Sequence, residues 1–311
     1  MQTSFGLAPS LIVARLAPVP GRRAYSTVRL RRLAGELRRL RAAADLTRED
    51  VAERTGINTA TLYRIETGRG RPQRRTLAAL LDLYDVGEQQ RHDLVELSRE
   101  ADVQGWLHPH HSDLPEQYTT YIGFEAEARS VRNYESLFIP GLLQTEDYAR
   151  AVIIGNLPMA SEQDVEARVR VRMERQAVLT KDNPLRLWAV VDEAALHRQV
   201  GGTRIMREQL TALLTATKAP HVTVQVIPYG AGAHAGMQGS FVLMDFPNPA
   251  DPALVYIDSM AGDLFLEAEA DVRRYSLIFD NLRAVALSPA DSASLITTLA
   301  EPSPKGGADG A

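Results

Sequence analysis

The chain has 311 residues, 45% of them hydrophobic and 24% charged, which is the composition of an ordinary globular protein and the length of two domains. It contains no cysteine, which excludes disulfides and thiolate metal sites and is typical of the reducing cytoplasm. No apolar run reaches the roughly 18 residues of a membrane-spanning helix, so we expect a cytoplasmic protein without a membrane segment.

The formal net charge of −4 conceals a division along the chain. Residues 1–75 contain 16 arginines, no lysine and 6 acidic residues, whereas residues 76–311 contain 19 basic and 33 acidic residues. The first part is therefore positive by 10 charges and the second negative by 14. Since a basic module attracts phosphates and an acidic body repels them, we expect nucleic-acid contacts in the first part alone.

An amino-terminal tail precedes the first predicted helix. Residues 1–26 have no basic residue ahead of their short apolar stretch, which argues against a signal peptide, and their prolines and small residues indicate disorder. Residues 28–44 place leucines on one stripe and arginines on the other face. This pattern predicts an amphipathic helix whose basic face either lines a phosphate backbone or is solvated.

Residues 47–72, TREDVAERTGINTATLYRIETGRGRP, are typical of a helix-turn-helix. Thr47 stands at an N-cap position, Gly56 supplies a left-handed turn, and Asn58 caps the next helix. The apolar spacing in residues 58–66 buries one face and leaves small side chains at the leading end of the other. Such a helix can enter the major groove of DNA. A structural helical hairpin is the alternative, but the basic loop that follows favours DNA binding.

We expect this second helix to contact base edges, and the caps and arginines around it to contact phosphates. The predicted base contacts are Thr59, Ala60, Thr61, Tyr63 and Arg64. The predicted phosphate contacts are Thr47, Arg48, Asn58, Arg69, Arg71, Arg74 and Arg75. A homodimer would place two such helices on half-sites ~34 Å apart, so the predicted site is an inverted repeat in double-stranded DNA.

The order LT-x-x-x-x-A, TGI-N, LYRIETG and TLAALLDLY is similar to the Xre-type (lambda-repressor-like) helix-turn-helix domain. The resemblance covers about residues 28–100 and implies an all-α, five-helix DNA-binding domain, which we place at 27–101. Apolar spacing predicts its last two helices at 74–84 and 88–101. Arg48 departs from the family, which often has a DNA-contacting glutamine there, so the implied role of this position is open.

Residues 102–117 are predicted to link two domains. Their stretch WLHPHHSDLP brings together His108, His110, His111 and Asp113, side chains that suit zinc or iron. The prolines make this stretch stiff and extended, and the four side chains lack helical or strand spacing. We therefore expect a linker and no metal site.

Residues 118–300 are predicted to form an α+β domain with a small, partly antiparallel sheet. The strand candidates are 185–192, 222–228, 240–246 and 253–258. The helix candidates are 118–136, 145–154, 161–180, 203–217, 267–286 and 289–300. Residues 301–311 are predicted to be a second disordered tail.

The second domain resembles the domain that accompanies the Xre-type module in antitoxin-like regulators of actinomycetes, the WhiJ-like group. The matching segments are IPGLLQTEDYARAVI, RMERQAVL, VVDEAALHRQVGG, VQVIPYGAGAHAGMQGSFVLMDF and YSLIFDNLRAVALSPADS. The resemblance implies a regulator that is often paired with a small partner protein of the BldB-like type. Periodicity and spacing say nothing about that partner.

No motif of the second domain commits to catalysis. The side chains considered are Glu193, His197, His221, His234, Asp245 and Asp258. A nucleophile elbow, a zinc-binding histidine pair and a phosphate-binding loop are all lacking, so we expect no enzyme and no cofactor. His234 lies in the glycine-rich loop PYGAGAHAGMQGS, which is either a flexible hairpin loop or a cover for a ligand. Arg168 and Arg172 belong to an arginine row that is solvated, binds an acidic partner or extends the DNA-binding surface.

These patterns predict a sequence-specific transcriptional regulator whose second domain receives a signal from a small protein or a ligand. The alternative is an antitoxin-like protein that mainly sequesters a small partner protein and binds DNA to regulate its own operon. A partner that co-purifies in stoichiometric amount would favour the alternative.

Overall fold

The computed structural model describes residues 27–100, 114, 116–249, 251–259 and 262–301. An all-helical module is followed by a domain of helices around a mixed six-stranded sheet. The predicted fold class is thereby confirmed. The predicted tails, except Glu301, and the histidine-containing stretch of the predicted linker lie outside the described residues.

Five helices form the amino-terminal module, as predicted. They are α1 (Val28–Ala43), α2 (Arg48–Thr55), α3 (Thr59–Glu66), α4 (Arg74–Leu83) and α5 (Glu88–Glu100). Their apolar stripes meet in one core, in which Leu37, Val51 and Leu62 have no solvent exposure. The apolar residues recur at the helical period, so each helix buries one face in this core. This tertiary packing stabilises helices that would be too short to be stable alone.

The second domain contains seven helices and six strands within the described ranges. The helices are α6 (Glu116–Glu127), α7 (Glu146–Asn156), α8 (Glu162–Glu174), α9 (Glu193–His197), α10 (Thr203–Ala216), α11 (Glu269–Val285) and α12 (Pro289–Ala300). The strands are β1 (Ser130–Glu135), β2 (Arg186–Asp192), β3 (Val222–Ile227), β4 (Phe241–Asp245), β5 (Leu254–Ile257) and β6 (Leu264–Leu266). The helix α6 begins inside the stretch that was predicted as linker.

The sheet has the order β3-β2-β1-β4-β5-β6. Strands β1, β2 and β3 are parallel, and β4, β5 and β6 continue the sheet in antiparallel pairs. One face packs on a large core that reaches α6, α7, α10 and α12, and the other packs on α11 through Phe279 and Leu282. The carboxyl ends of three parallel strands therefore meet at one edge of the sheet.

The predicted helix 118–136 is wrong in nearly half of its length, from residue 128 onward. The helix stops at Glu127, and Ser130–Glu135 is the interior strand β1, which pairs with both β2 and β4. Val131 and Tyr134 are buried on opposite faces of the sheet, so this segment has no single apolar stripe. Hydrogen bonding to β2 and β4 makes this segment a strand, although its local sequence favoured a helix. The three-residue β6 was not predicted, and the predicted helix 161–180 continues beyond Glu174 only as a 3-10 turn.

The glycine-rich loop, residues 228–240, does not close a hairpin. Strand β3 lies at the edge of the sheet, whereas β4 pairs with β1, so the loop crosses the carboxyl ends of β2 and β1. The expectation of a hairpin was wrong because two parallel strands stand between the segments that the loop joins.

Helix α1 belongs to both domains. Val28 is buried in the core of the second domain, whereas Leu33 and Leu37 are buried in that of the helical module. Arg31 is 4% exposed; its guanidinium lies 5.0 Å from the ring centre of Phe124. The helical module is therefore attached to the second domain through the first turns of α1.

The first arginines of α1 make ion pairs across this junction. Arg29 pairs with Glu127 at 3.4 Å, Arg31 with Glu267 at 2.7 Å and Arg32 with Asp251 at 3.8 Å. This part of the basic face of α1 therefore contacts an acidic domain of the same chain. Within the described residues no helix is long and apolar enough to cross a membrane.

Candidate functional site

The turn between α2 and α3 is built by the residues that the sequence indicated. The hydroxyl of Thr47 accepts a hydrogen bond from the amide of Asp50 (3.1 Å), and the Asp50 carboxylate accepts one from the Thr47 amide (2.8 Å). Gly56 ends α2 with φ +71°, where a side chain would be strained. Asn58 then caps α3 by accepting from the amide of Ala60 at 2.8 Å. Local hydrogen bonds thus set the start of both helices.

The predicted base-contact residues share the outer side of α3. Leu62 and Ile65 are buried against the module, while Ala60, Thr61, Tyr63 and Arg64 are exposed and Thr59 is half-buried. Tyr63 is 45% exposed, so its side chain is open to an external partner. A groove of DNA would meet small polar groups, an aromatic ring and a guanidinium on this side.

Three of the predicted phosphate-contact arginines are open to solvent, whereas Arg71 is half-buried. Arg69, Arg74 and Arg75 are exposed and form no ion pair with any described residue. Helix α4 starts without a side-chain cap at Gln73 and without an acidic residue in its first turn. Its free amide groups add to the positive charge there, which is the usual setting for a bound phosphate. The sequence predicted that this helix starts at residue 74, but it did not indicate a phosphate site at its amide groups, because an absent cap leaves no motif.

Glu66, the last residue of α3, joins three helices. Its carboxylate has no solvent exposure and accepts from Arg41 Nε at 2.6 Å and from Arg48 Nε at 2.7 Å. The hydrogen bond to Glu66 raises the pKa of Arg41. Arg48 also lies 5.4 Å from the ring centre of Tyr63. Arg48, predicted as a phosphate contact, is therefore held by Glu66 and Tyr63 and helps to position α3.

The arginine row of α8 is divided between surface and interior. Arg170 is exposed, Arg168 and Arg172 are half-buried, and Arg175, just past the end of α8, is buried. Arg175 donates to Glu125 at 3.0 Å and to the hydroxyl of Tyr118 at 3.1 Å. Burial raises the pKa of Glu125, although the charge of Arg175 opposes this. A solvated face is therefore the wrong description for Arg175.

The segment IPGLLQT, residues 139–145, holds the inner side of α8. Arg172 Nη1 donates to Gln144 Oε1 at 3.0 Å, and Gln144 Nε2 donates to the carbonyl of Ile139 at 2.7 Å. Buried Gln209 accepts from the amide of Thr145 and donates to the carbonyl of Leu143, both at 2.7 Å. These hydrogen bonds show that the segment 139–145 holds the guanidinium of Arg172 in place.

His234 fastens the glycine-rich loop to the sheet. Its Nε2 lies 3.2 Å from the Asp192 carboxylate at the end of β2, and its Nδ1 accepts from the amide of Gly236 at 3.2 Å. A Cβ at Gly236 would collide with the ring of Tyr134. Both ring nitrogens of His234 are therefore bonded within the chain, and the loop lies tightly over β1.

Four of the other side chains considered for catalysis are bonded within the chain and do not meet in one cluster. His197 bonds Glu193 at 3.1 Å, and His221 bonds the carbonyl of Leu179 at 2.9 Å. Asp245 accepts from Ser130 at 3.0 Å. In the described part of the chain no three His, Asp or Glu side chains are placed to hold a metal ion.

Comparison with family models gives two matches. Residues 32–94 match a "Helix-turn-helix domain" and residues 118–298 match a "Domain of unknown function (DUF5753)". The first match supports an Xre-like helix-turn-helix regulator and indicates DNA binding by the module that contains α3. Comparisons with curated proteins and with solved structures gave no match. Since the second match spans more than half of its length, the chain belongs to the DUF5753 family and has a helix-turn-helix domain ahead of the family's domain.

Proposed function

We propose that the protein is a sequence-specific transcriptional regulator that reads DNA with α3. The outer side of that helix carries the proposal, since Thr61, Tyr63 and Arg64 are exposed beside the basic, uncapped start of α4. In this proposal the exposed side chains of α3 contact DNA bases, with Thr59 and Ala60 at the start of the helix. The arginines and capping residues around α3 contact phosphates.

The proposed DNA site is an inverted repeat bound by a homodimer. One helix such as α3 covers only a few base pairs, which is too little sequence to mark a single operator. Two-fold symmetry would double the site and place the half-sites about one helical turn apart.

The second domain has the proposed role of receiving a signal from a ligand or a protein, without a catalytic step of its own. Its contact with α1 supports this role, because Arg31 and Val28 bring the DNA-binding module into the packing of the second domain. A change in that packing would alter the placement of the module relative to a second copy.

Selection from a random double-stranded DNA library tests the main proposal. The full chain should enrich a two-fold symmetric motif, and Arg64→Ala should enrich a weaker or degenerate one. Arg170→Ala is the matched control, because Arg170 is exposed in the second domain and should enrich the original motif. Absence of any enriched motif would contradict the proposal.

The antitoxin-like alternative has one observation in its favour. Large apolar side chains follow one another at the end of α7, where Ile154 is 51%, Leu157 39% and Met159 95% exposed. Such a group can bind another protein. A small partner that co-purifies in stoichiometric amount, and is lost with Ile154→Ser plus Met159→Ser, would support this alternative. DNA binding of the same double variant should be unchanged.

A further inference from the structure

A cleft of about 690 Å³ lies where the helical module meets the second domain. One wall comes from α1 and the residues that follow α3, among them Arg38 and Arg69. The other wall comes from α6 and β6, among them Leu264 and Phe265. Small-molecule sites typically enclose about 300–1,000 Å³ and are often found between domains. The cleft therefore has the size and the place of a ligand site.

Three arginines line the cleft, and two of them are unpaired within the described residues. Arg38 and Arg69 are exposed, and no described residue forms an ion pair with them. Arg31 is 4% exposed and pairs through Nε with Glu267 at 2.7 Å, while its buried Nη1 has no hydrogen-bond partner in the described ranges. The cleft therefore offers two guanidinium groups to a ligand, in addition to a sheltered third one.

The carboxyl groups of the cleft already have partners within the chain. Glu66 accepts from two arginines of the helical module, at 2.6 and 2.7 Å, and Glu267 is paired with Arg31. Burial raises the pKa of Asp263, although a hydrogen bond from Tyr256 opposes the rise, so this carboxyl group is less readily charged than usual. The unpaired charge that meets a bound molecule is therefore that of the arginines, and it favours an anion.

The wall of the second domain adds an apolar surface. Leu264 is 51% exposed and Phe265 is half-buried. The centre of the Phe265 ring lies 5.7 Å from that of Phe124, with 75° between the ring planes. Aromatic rings prefer such edge contacts, and a guanidinium can stack on the face of a ring. A flat aromatic body between the walls would therefore contact both of them.

We propose that this cleft binds a small aromatic carboxylate, whose carboxylate group contacts Arg38 and Arg69 and whose ring packs on the apolar wall of the second domain. The inference rests on the proposed function, in which the second domain receives a signal, and it gives that signal a chemical class and a place. A planar guanidinium matches a carboxylate through paired hydrogen bonds. A doubly charged phosphate monoester would be repelled more strongly by the acidic side chains of the cleft.

Arg69 belongs both to this site and to the predicted DNA contacts. A carboxylate that is held by Arg69 withdraws this side chain from a DNA phosphate. The acid and DNA should therefore weaken each other's binding, and linkage requires the same factor in both directions. We expect a saturating acid to lower DNA affinity by roughly fivefold or more.

Calorimetric titration of the full chain with benzoate, phenylacetate, naphthoate and indoleacetate tests the inference directly. We expect saturable binding of at least one of these acids. Its carboxamide should bind about tenfold more weakly or worse, because it lacks the charge-assisted hydrogen bonds. Acetate, which has the charge without the ring, should be weaker by a similar factor.

Variants of α1 and β6 locate the site. Arg38→Gln removes one guanidinium and Leu264→Glu adds a negative charge to the apolar wall, so each should weaken acid binding by about tenfold or more. Both side chains are exposed, and the circular dichroism spectrum should therefore be unchanged. Arg39→Gln is the matched control and should bind as the original does, because Arg39 is exposed on α1 but pairs with Glu36 and does not line the cleft.

Arg69→Gln tests the overlap with the DNA-binding surface. It should weaken acid binding, and the acid should no longer change DNA affinity, because the shared side chain is gone. DNA titrations with and without the saturating acid measure this coupling. An acid that binds the original chain without changing its DNA affinity would contradict the assignment of Arg69 to the site.

Four outcomes would overturn the inference. These are no saturable binding of any of the acids, equal affinity for an acid and its carboxamide, tighter binding of phenyl phosphate than of benzoate, and equal affinity in Arg38→Gln and Arg39→Gln. The proposed function fails separately, since acid binding is measured without DNA. An enriched DNA motif without acid binding contradicts the cleft alone, and acid binding without an enriched motif contradicts the regulator alone.

Discussion

Two sets of arginines, one in each domain, have opposite surroundings. In the helical module, Arg64, Arg69 and Arg75 lie in solvent beside α3, and no described residue forms an ion pair with them. In the second domain, Arg175 is buried against Glu125, and Arg172 is held by Gln144. The first set is available to an external partner, and the second organises the interior.

This contrast separates the consequences of losing each charge. An exposed arginine contributes little to folding, since it is solvated in both the folded and the unfolded chain. A buried arginine with a carboxylate partner contributes through that partner, which is left uncompensated when the arginine is removed. We therefore expect substitutions in the first set to change DNA binding and substitutions in the second to change stability.

The largest expected effect is that of Arg175→Ala. Removal of its guanidinium leaves Glu125, whose side chain is 1% exposed, without a countercharge. The free energy of unfolding should fall by about 3–5 kcal/mol. Urea denaturation followed by circular dichroism measures this value. Arg170→Ala, the exposed arginine of α8, should stay within about 0.5 kcal/mol of the original. Equal stability of the two variants would show that the division between surface and interior is wrong.

The next largest expected effect is the pH dependence of stability that comes from Glu135, the last residue of β1. Burial raises the pKa of its carboxyl group from 4.5 to about 7. As pH rises past 4.5, the unfolded chain loses this proton while the folded chain retains it, so stability falls until pH exceeds about 7. The loss should reach up to about 3 kcal/mol.

Glu135→Gln removes this titration and isolates it from the other carboxyl groups. The difference in unfolding free energy between Glu135→Gln and the original should grow in favour of the variant from about pH 5 to about pH 8. Urea denaturation at several pH values measures that difference. Parallel pH curves for the two proteins would mean that Glu135 titrates as an exposed carboxyl does.

Sequence was most informative where hydrogen bonds are local. Thr47, Gly56 and Asn58 bond groups within four residues, so their roles in starting α2 and α3 and in ending α2 follow from the order of the residues alone. The spacing of apolar residues was sufficient to predict all five helices of the module, since each helix buries one apolar stripe.

Sequence was least informative where partners are distant. Glu125 and Arg175 are 50 positions apart, and β1 is a strand because β2 and β4 supply its hydrogen bonds. Neither fact leaves a periodic signal. The arginines of residues 168–175 form one regular pattern in the sequence, but in the structure they are exposed, half-buried or buried. Their burial depends on whether α6 and the segment 139–145 pack beside them, and the pattern does not show this.

Arg64→Ala tests whether an exposed arginine of the helical module contacts DNA bases. Arg64 is exposed on α3, and we expect its loss to relax base preference while stability is preserved. Discrimination between the selected motif and random DNA should fall by about 1–3 kcal/mol. Competition titrations against both DNAs at several salt concentrations measure it. Equal weakening on both would remove Arg64 from the base contacts.

Arg75→Ala gives the smallest effect and the most selective one. Arg75 is exposed in the first turn of α4, where no acidic residue neutralises it, so it should contact a phosphate and carry no sequence information. Its loss should weaken binding to all sequences alike, and the slope of log affinity against log salt should become shallower by about 1. Arg170→Ala should leave that slope unchanged, since we expect the acidic second domain to contact no phosphate. A changed slope in Arg170→Ala would mean that the second domain also lies on DNA.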